Sequence, residues 1–390
     1  MSIATELSVI SRTGISAFSK LAPGVLAISA AVFDKFSPFD INDASPTNQG
    51  KNTKLDAAAN CSYLWFGCPM KTRAKIILGI LASLLVLGPF AVPVNSSGTL
   101  AYQEAAAISW EGRSEFVNLA DHDNHIITAG NPDSDRLIVL LHGFGASSLT
   151  WQQVLEPLGQ VAHIVAYDRA AFGFTERPTS FGDLNPYSAA GQLEVIDGLV
   201  DLYGSGKEVI VLGHSAGGAL ALGYALDYPN KIDRLILEAP AVYGVGGTPQ
   251  WMNWIFSIPQ LDHLGPLLVS SIASSGLSLL DQSYTDPTLI TNQILDDYTA
   301  PLEIKGWERA FWEFNKAPRS LELVGRLDQV AMPTLIITGD DDRVVATSDS
   351  VKLSGEIEAS RLEIIPNSGH LPNEEKPQLF TDAIISFLGN

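Results

Sequence analysis

A serine hydroxyl becomes a useful nucleophile only when the chain turns it outward and a neighbouring base takes its proton. One stretch of this sequence has the residue types for the first task. Gly213-His214-Ser215-Ala216-Gly217-Gly218 directly follows the apolar run VIVL and opens a helical pattern. A serine between strand and helix sits on a sharp, strained turn, and Gly213 and Gly217 remove the side chains that would crowd it. An unassisted hydroxyl is a poor nucleophile at neutral pH, so a base must lie within hydrogen-bond reach of Ser215. Of the seven histidines, His370 is the strongest candidate, in the small-residue loop Asn367-Ser368-Gly369-His370. His122, His125, His163 and His263 read as surface or packing residues. An acid must orient the imidazole and stabilise its protonated form. Asp340, Asp341 and Asp342 compete for that role, with Glu238 as a rival at the end of the apolar run that follows Ser215.

Groups this far apart in the chain need a rigid frame to bring them together. After Glu115 short apolar runs alternate with longer helical patterns. The runs lie at 116–119, 125–128, 137–143, 163–168, 209–215, 234–240, 334–340 and 361–366, with helix-like stretches at 148–158, 188–202, 217–227, 348–355 and 376–388. Continuous β-branched runs separated by helices predict a mostly parallel sheet covered on both faces. In such sheets, sites form outside the carboxyl ends of the strands, where Ser215 and its candidate partners fall.

Four blocks together resemble the α/β-hydrolase superfamily over about residues 112–390. They are His142-Gly143-Phe144-Gly145-Ala146-Ser147, then Asp168-Arg169-Ala170-Ala171-Phe172-Gly173-Phe174-Thr175, then the turn at Ser215, and last Gly339-Asp340-Asp341-Asp342-Arg343-Val344-Val345 with Ser368-Gly369-His370. The resemblance implies an α/β-hydrolase fold and puts the base at His370. It assigns the acid to Asp342, with Glu238 at a position some members use instead. The backbone N–H groups of Phe144 and Ala216 would serve as oxyanion donors. The Asp168 block and the histidines His142 and His214 would be structural. Residues 241–329, where the strand rhythm stops, would form a helical cap. Its aromatic residues Trp251, Trp254, Phe256, Trp307, Phe311, Trp312 and Phe314 would mostly hold the cap to the body, the remainder lining an apolar pocket. The expected chemistry is cofactor-free hydrolysis of a lipophilic ester, in the manner of a carboxylesterase or lipase. The same triad also serves C–C bond hydrolases, acyltransferases, haloperoxidases and phytyl-ester hydrolases, while a non-catalytic membrane scaffold is the reading from a different class.

Outside the hydrolase-like region the sequence addresses location. Residues 76–94 form 19 uncharged positions with Ser83 as the only polar side chain, nearly enough to cross a hydrocarbon core of about 30 Å. Lys71, Arg73 and Lys75 precede this run and Arg113 is the first basic residue after it, which predicts a cytosolic tail and a hydrolase domain on the opposite side. A transmembrane anchor is therefore expected at 71–98, with residues 1–70 as an extension. Its first 33 residues resemble a transit peptide or a second membrane-contacting segment, and residues 40–60 read as a disordered linker. Cys61 and Cys68, the only cysteines, are too few for a disulfide framework. From residue 76 onward, 16 basic residues face 38 acidic ones, a balance that repels nucleic acid. No metal-ligand spacing such as HExxH or CxxC occurs.

Overall fold

The structure, a computed structural model, describes residues 70–110, 113–243 and 253–389. Cys61, Cys68, Trp251, the transit-like start and the 40–60 linker lie outside the described residues. The first described element is helix α1 (Met70–Leu87), followed by a 3-10 turn at Gly88–Ala91. Pro89 lies just beyond the end of α1, where its ring cannot continue an α-helix. An 18-residue window, Ala74–Ala91, has mean hydropathy 2.1 and none of it is buried in the protein, so by length and composition this segment is able to cross a membrane. Of the anchor expected at 71–98, the helical part ends at Ala91, and the residues after it take another role described below.

Helix α2 (Tyr102–Ser109) leads into strands β1 (Glu115–Leu119), β2 (His122–Ala129) and β3 (Arg136–Leu141). Then follow α3 (Gln152–Gly159), β4 (His163–Tyr167), α4 (Ala189–Tyr203), β5 (Glu208–His214), α5 (Ala216–Asp227) and β6 (Arg234–Glu238). Four helices, α6 (Asn253–Phe256), α7 (Pro259–Ser283), α8 (Asn292–Thr299) and α9 (Trp307–Lys316), occupy the expected cap. The chain closes with β7 (Thr334–Gly339), α10 (Thr347–Glu356), β8 (Ser360–Ile365), α11 (Pro372–Glu375) and α12 (Pro377–Leu388). The strands form one eight-stranded sheet in the order β1-β2-β4-β3-β5-β6-β7-β8. Pairings of β2 with β1 and β4 are antiparallel and the rest parallel.

Strand period two divides the core into two layers. Leu137, Val139 and Leu141 of β3, with Val209 and Val211 of β5, face Ile196 and Leu199 of α4 and Leu222 of α5. Ile138, Leu140, Ile210 and Leu212 point the other way, onto Val154 and Leu158 of α3 and Phe380 and Ile384 of α12. All four central residues of β3 and β5 that face α3 and α12 are fully buried, which explains why these strands read as unbroken apolar runs rather than alternating ones. The result is a stiff sheet whose carboxyl edge carries Ser215, Glu238, Asp342 and His370 on successive strand exits.

Residues 86–100 join the apolar helix to the cap. Gln260 of α7 donates to the Val86 carbonyl and the His263 ring contacts the Val92 carbonyl at 2.9 Å. Glu308 of α9 accepts from the Ser96 hydroxyl at 2.7 Å and from both the amide and hydroxyl of Ser97 at 2.6 Å. Backbone bonds from Thr99 and Leu100 to the Glu303 carbonyl, and from Lys305 to the Leu100 carbonyl, complete a strap.

Candidate active site

Ser215 stands between β5 and α5 with φ 52 and ψ −116, a left-handed conformation that a non-glycine residue adopts only when its surroundings enforce it. The enforcement is visible on both sides of the residue. Its amide donates to the Glu238 carbonyl at 2.8 Å, and its carbonyl accepts from the Ala219 and Ala241 amides. A β-carbon on Gly213 would collide with the Gly217 carbonyl, and one on Gly217 with the Leu141 carbonyl. These two glycines are thus required by close backbone approach.

His370 lies in the loop after β8. Its ring Nδ1 meets Asp342 Oδ2 at 2.8 Å, and both side chains are buried. Asp342 is fixed in turn, because its Oδ1 accepts from the Val344 and Val345 amides at 2.9 Å each. Since the carboxylate can only accept, Nδ1 carries the proton and Nε2 is left bare, the tautomer a general base requires. The His370 amide donates to the Ser283 carbonyl at 2.7 Å, and its carbonyl lies 3.0 Å from His214 Nε2. His214 is the residue before Ser215, so the His370 loop is bonded directly to the end of the strand that carries Ser215. Burial and the nearby His370 ring keep the His214 imidazole far below the usual histidine range, and it stays neutral.

The two expected oxyanion donors flank this region. Ala216 is the first residue of α5, and Gly143, just before Phe144, approaches so closely that a β-carbon there would lie 3.2 Å from Ser215 Cβ. The Phe144 ring packs edge-on against Phe172 and Phe311, and Phe314 meets Phe172 edge-on at 4.9 Å. Two of the cap aromatics, Phe311 and Phe314, thus form a wall with the body beside the Phe144 loop. Phe256, Trp307 and Trp312 are used within the cap itself, whereas Trp254 is largely exposed.

Asp168 and Arg169 have structural roles. Asp168 Oδ2 meets His125 Nδ1 at 2.7 Å and accepts from the Phe174 amide at 2.8 Å. Burial works to raise its pKa, but the charge and hydrogen bond of His125, with His142 and the Phe174 amide, bring it down to about 2. His142 Nε2 accepts the Arg169 amide at 3.0 Å while Nδ1 donates to the Gly143 carbonyl. Burial and the Arg169 charge lower the His142 imidazole to about 4. His125 is therefore a buried hydrogen-bond partner of Asp168, a role its sequence surroundings did not reveal.

Glu238, the rival acid, does not meet His370. It is fully buried and its Oε1 accepts the Asn373 amide at 3.0 Å. Sequence reasoning also missed Glu374 and Glu375, whose position at a helix start gave no chemical signal. Glu374 accepts from the hydroxyls of Thr150, Tyr284 and Tyr298, and Glu375 from the Gly369 and Thr285 amides. Burial raises the pKa of both. A cavity of about 450 Å3 opens beside Glu374, between Thr150 on the body and Tyr284, Asp297 and Tyr298 on the cap. Its lining contains neither Ser215 nor His370. Among the described residues no three His, Cys, Asp or Glu side chains converge as a metal site would need.

A family model described as alpha/beta hydrolase fold matches residues 136–377. A 2-hydroxy-6-oxo-2,4-heptadienoate hydrolase of Pseudomonas putida is 26% identical over 286 residues, covering 71% of this chain and 96% of its own. Monoacylglycerol lipase abhd6-A of Xenopus laevis is 26% identical over 281 residues, 71% of this chain and 82% of its own. The solved structure of a membrane phospholipase A superposes with a TM-score of 0.54 at 20% identity, covering 84% of this chain and 98% of that one, a likeness of fold.

Proposed function

This chain belongs to the α/β-hydrolase fold family, and on that premise we propose that it is a serine hydrolase with Ser215 as nucleophile, His370 as base and Asp342 as orienting acid. The observation that carries this reading is the His370–Asp342 pair at 2.8 Å, which leaves a bare imidazole nitrogen on a loop bonded to the residue beside Ser215. In the proposed cycle Ser215 Oγ attacks a carbonyl carbon as its proton passes to His370 Nε2. The N–H groups of Phe144 and Ala216 receive the developing oxyanion, and His370 returns the proton to the leaving group. Water, deprotonated by the same imidazole, then releases the acyl group.

For the bond cleaved, the aromatic wall of Phe144, Phe172, Phe311 and Phe314 and the apolar helix of spanning length support a lipophilic carboxylic ester met at a membrane. A second reading is favoured by the Pseudomonas putida relative. The substrate in its name holds no ester, so its hydrolysis must break a C–C bond beside the 6-oxo group. Labelling of the full chain by a fluorophosphonate, abolished by Ser215→Ala, is the expected result; a folded protein that does not label would overturn the reading. Turnover of a series of acyl esters against a 2-hydroxy-6-oxo dienoate then separates the two bond types.

A further inference from the structure

Glu238 is a buried acid that the proposed cycle does not use, yet it touches both halves of the site. Its main-chain carbonyl accepts the Ser215 amide at 2.8 Å. Its side-chain Oε1 accepts the amide of Asn373, three residues beyond His370, at 3.0 Å. The segment after it continues the hold on the nucleophile: Ala239, itself at φ 41, bonds back to the Ile337 carbonyl on β7, and the Ala241 amide donates to the Ser215 carbonyl. On the base side, Asn373 is in turn fixed through its own amide group to the Thr150 carbonyl at 2.9 Å. One residue therefore grips the serine's peptide with its backbone and the histidine's loop with its carboxyl.

We infer that Glu238 is a positioning residue that sets the separation between Ser215 and His370. The inference rests on the reading of Ser215 and His370 as nucleophile and base. A nucleophile and base on separate strand exits need such a tie, because a displacement of about 1 Å is enough to lower a rate on the order of 100-fold. The protonation state of Glu238 suits the task. Burial raises its carboxyl well above the usual range against the lowering pull of the Asn373 amide, and the carboxyls facing it, Glu374 on α11 and Asp342 after β7, raise it further. A neutral acid keeps an acceptor oxygen for the Asn373 amide without adding a second negative charge beside Asp342, where it would alter the basicity of His370. As pH rises Glu238 ionises, and that protection ends.

The experiment compares kcat, KM and pH profiles of the full chain with Glu238→Gln and Glu238→Leu, on whichever ester the wild type turns over, with Ser215→Ala as control. Gln keeps an acceptor oxygen and cannot ionise; Leu keeps the bulk and loses the acceptor. The expected result is that Leu lowers kcat on the order of 100-fold at neutral pH with little change in KM, that Gln restores it, and that Gln lacks a fall in kcat which the wild type shows as pH rises. A Gln variant that is as slow as Leu, or whose pH profile matches the wild type, overturns the inference even where Leu fails to fold. Residual turnover by Ser215→Ala would overturn the underlying triad reading, whereas an inert Ser215→Ala beside an unaffected Glu238→Leu would overturn only the role of Glu238.

Discussion

Replacing Asp342 by Asn tests the assignment of the acid at the level of a single proton. The two carboxylate oxygens have different duties, since Oδ1 accepts two backbone amides, from Val344 and Val345, and Oδ2 faces His370 Nδ1. An asparagine has one oxygen to offer. Turning its NH2 toward the two amides would leave buried donors facing a donor, at about 1–3 kcal/mol for each bond lost. The carboxamide oxygen therefore stays with Val344 and Val345, and the NH2 is directed at His370. Nδ1 must then accept, the imidazole proton moves to Nε2, and the nitrogen meant to take the Ser215 proton becomes a donor itself. A wrong tautomer of this kind lowers kcat about 10,000-fold, equivalent to roughly 5 kcal/mol of barrier. Because the side chain keeps its size and its two amide partners, KM and thermal stability should change little. Steady-state kinetics, corrected for active protein by titration of Ser215, gives the number. A kcat within about 10-fold of wild type would refute the tautomer argument and the choice of Asp342 with it.

Two further outcomes follow from the surrounding structure. The His142 imidazole takes up a proton at about 4 in the folded chain against 6.5 for a free histidine, so the unfolded chain binds more protons between those values. Its contribution is fully present above pH 6.5 and is lost as pH falls toward 4, roughly 3 kcal/mol in all; urea midpoints of His142→Gln should depend less on pH in this window, and equal slopes would contradict the assignment. Glu308→Ala strips three donors of the strap, the Ser96 hydroxyl and both Ser97 groups, of a buried partner, with an expected loss on the order of 3 kcal/mol. Limited proteolysis should then cut within 92–100; a strap that stays resistant is held by its backbone bonds alone.

What the sequence made legible depended on how far each signal reached along the chain. The parallel sheet was readable because β3 and β5 are buried on both faces, which fills every position of a short run with aliphatic residues. The turn at Ser215 was readable for a related reason. Gly213 and Gly217 are forced by contacts with backbone only a few residues away or on the adjacent strand, so the constraint is written in neighbouring letters. The strap carries no such mark. Ser96 and Ser97 meet Glu308 across more than two hundred residues, and serine and glutamate are ordinary surface residues until a fold brings them together. His125 fails to declare itself in the same way, because its partner Asp168 lies 43 residues further on.

Between these extremes stands the choice of acid. Spacing left Asp340, Asp341, Asp342 and Glu238 in competition, since all four lie at strand exits on the same edge of the sheet. Geometry separates them by what else each carboxylate must hold. Asp340 accepts the Ser368 amide and Asp341 pairs with Arg343 in the open. Glu238 is committed to Asn373, and only Asp342 has one oxygen saturated by amides and the other turned to the imidazole. An orienting acid requires that division, because a carboxylate free to rotate could not hold the ring in one tautomer. Local sequence cannot express it, since the amides of Val344 and Val345 become donors to Oδ1 only when the loop after β7 has closed on itself.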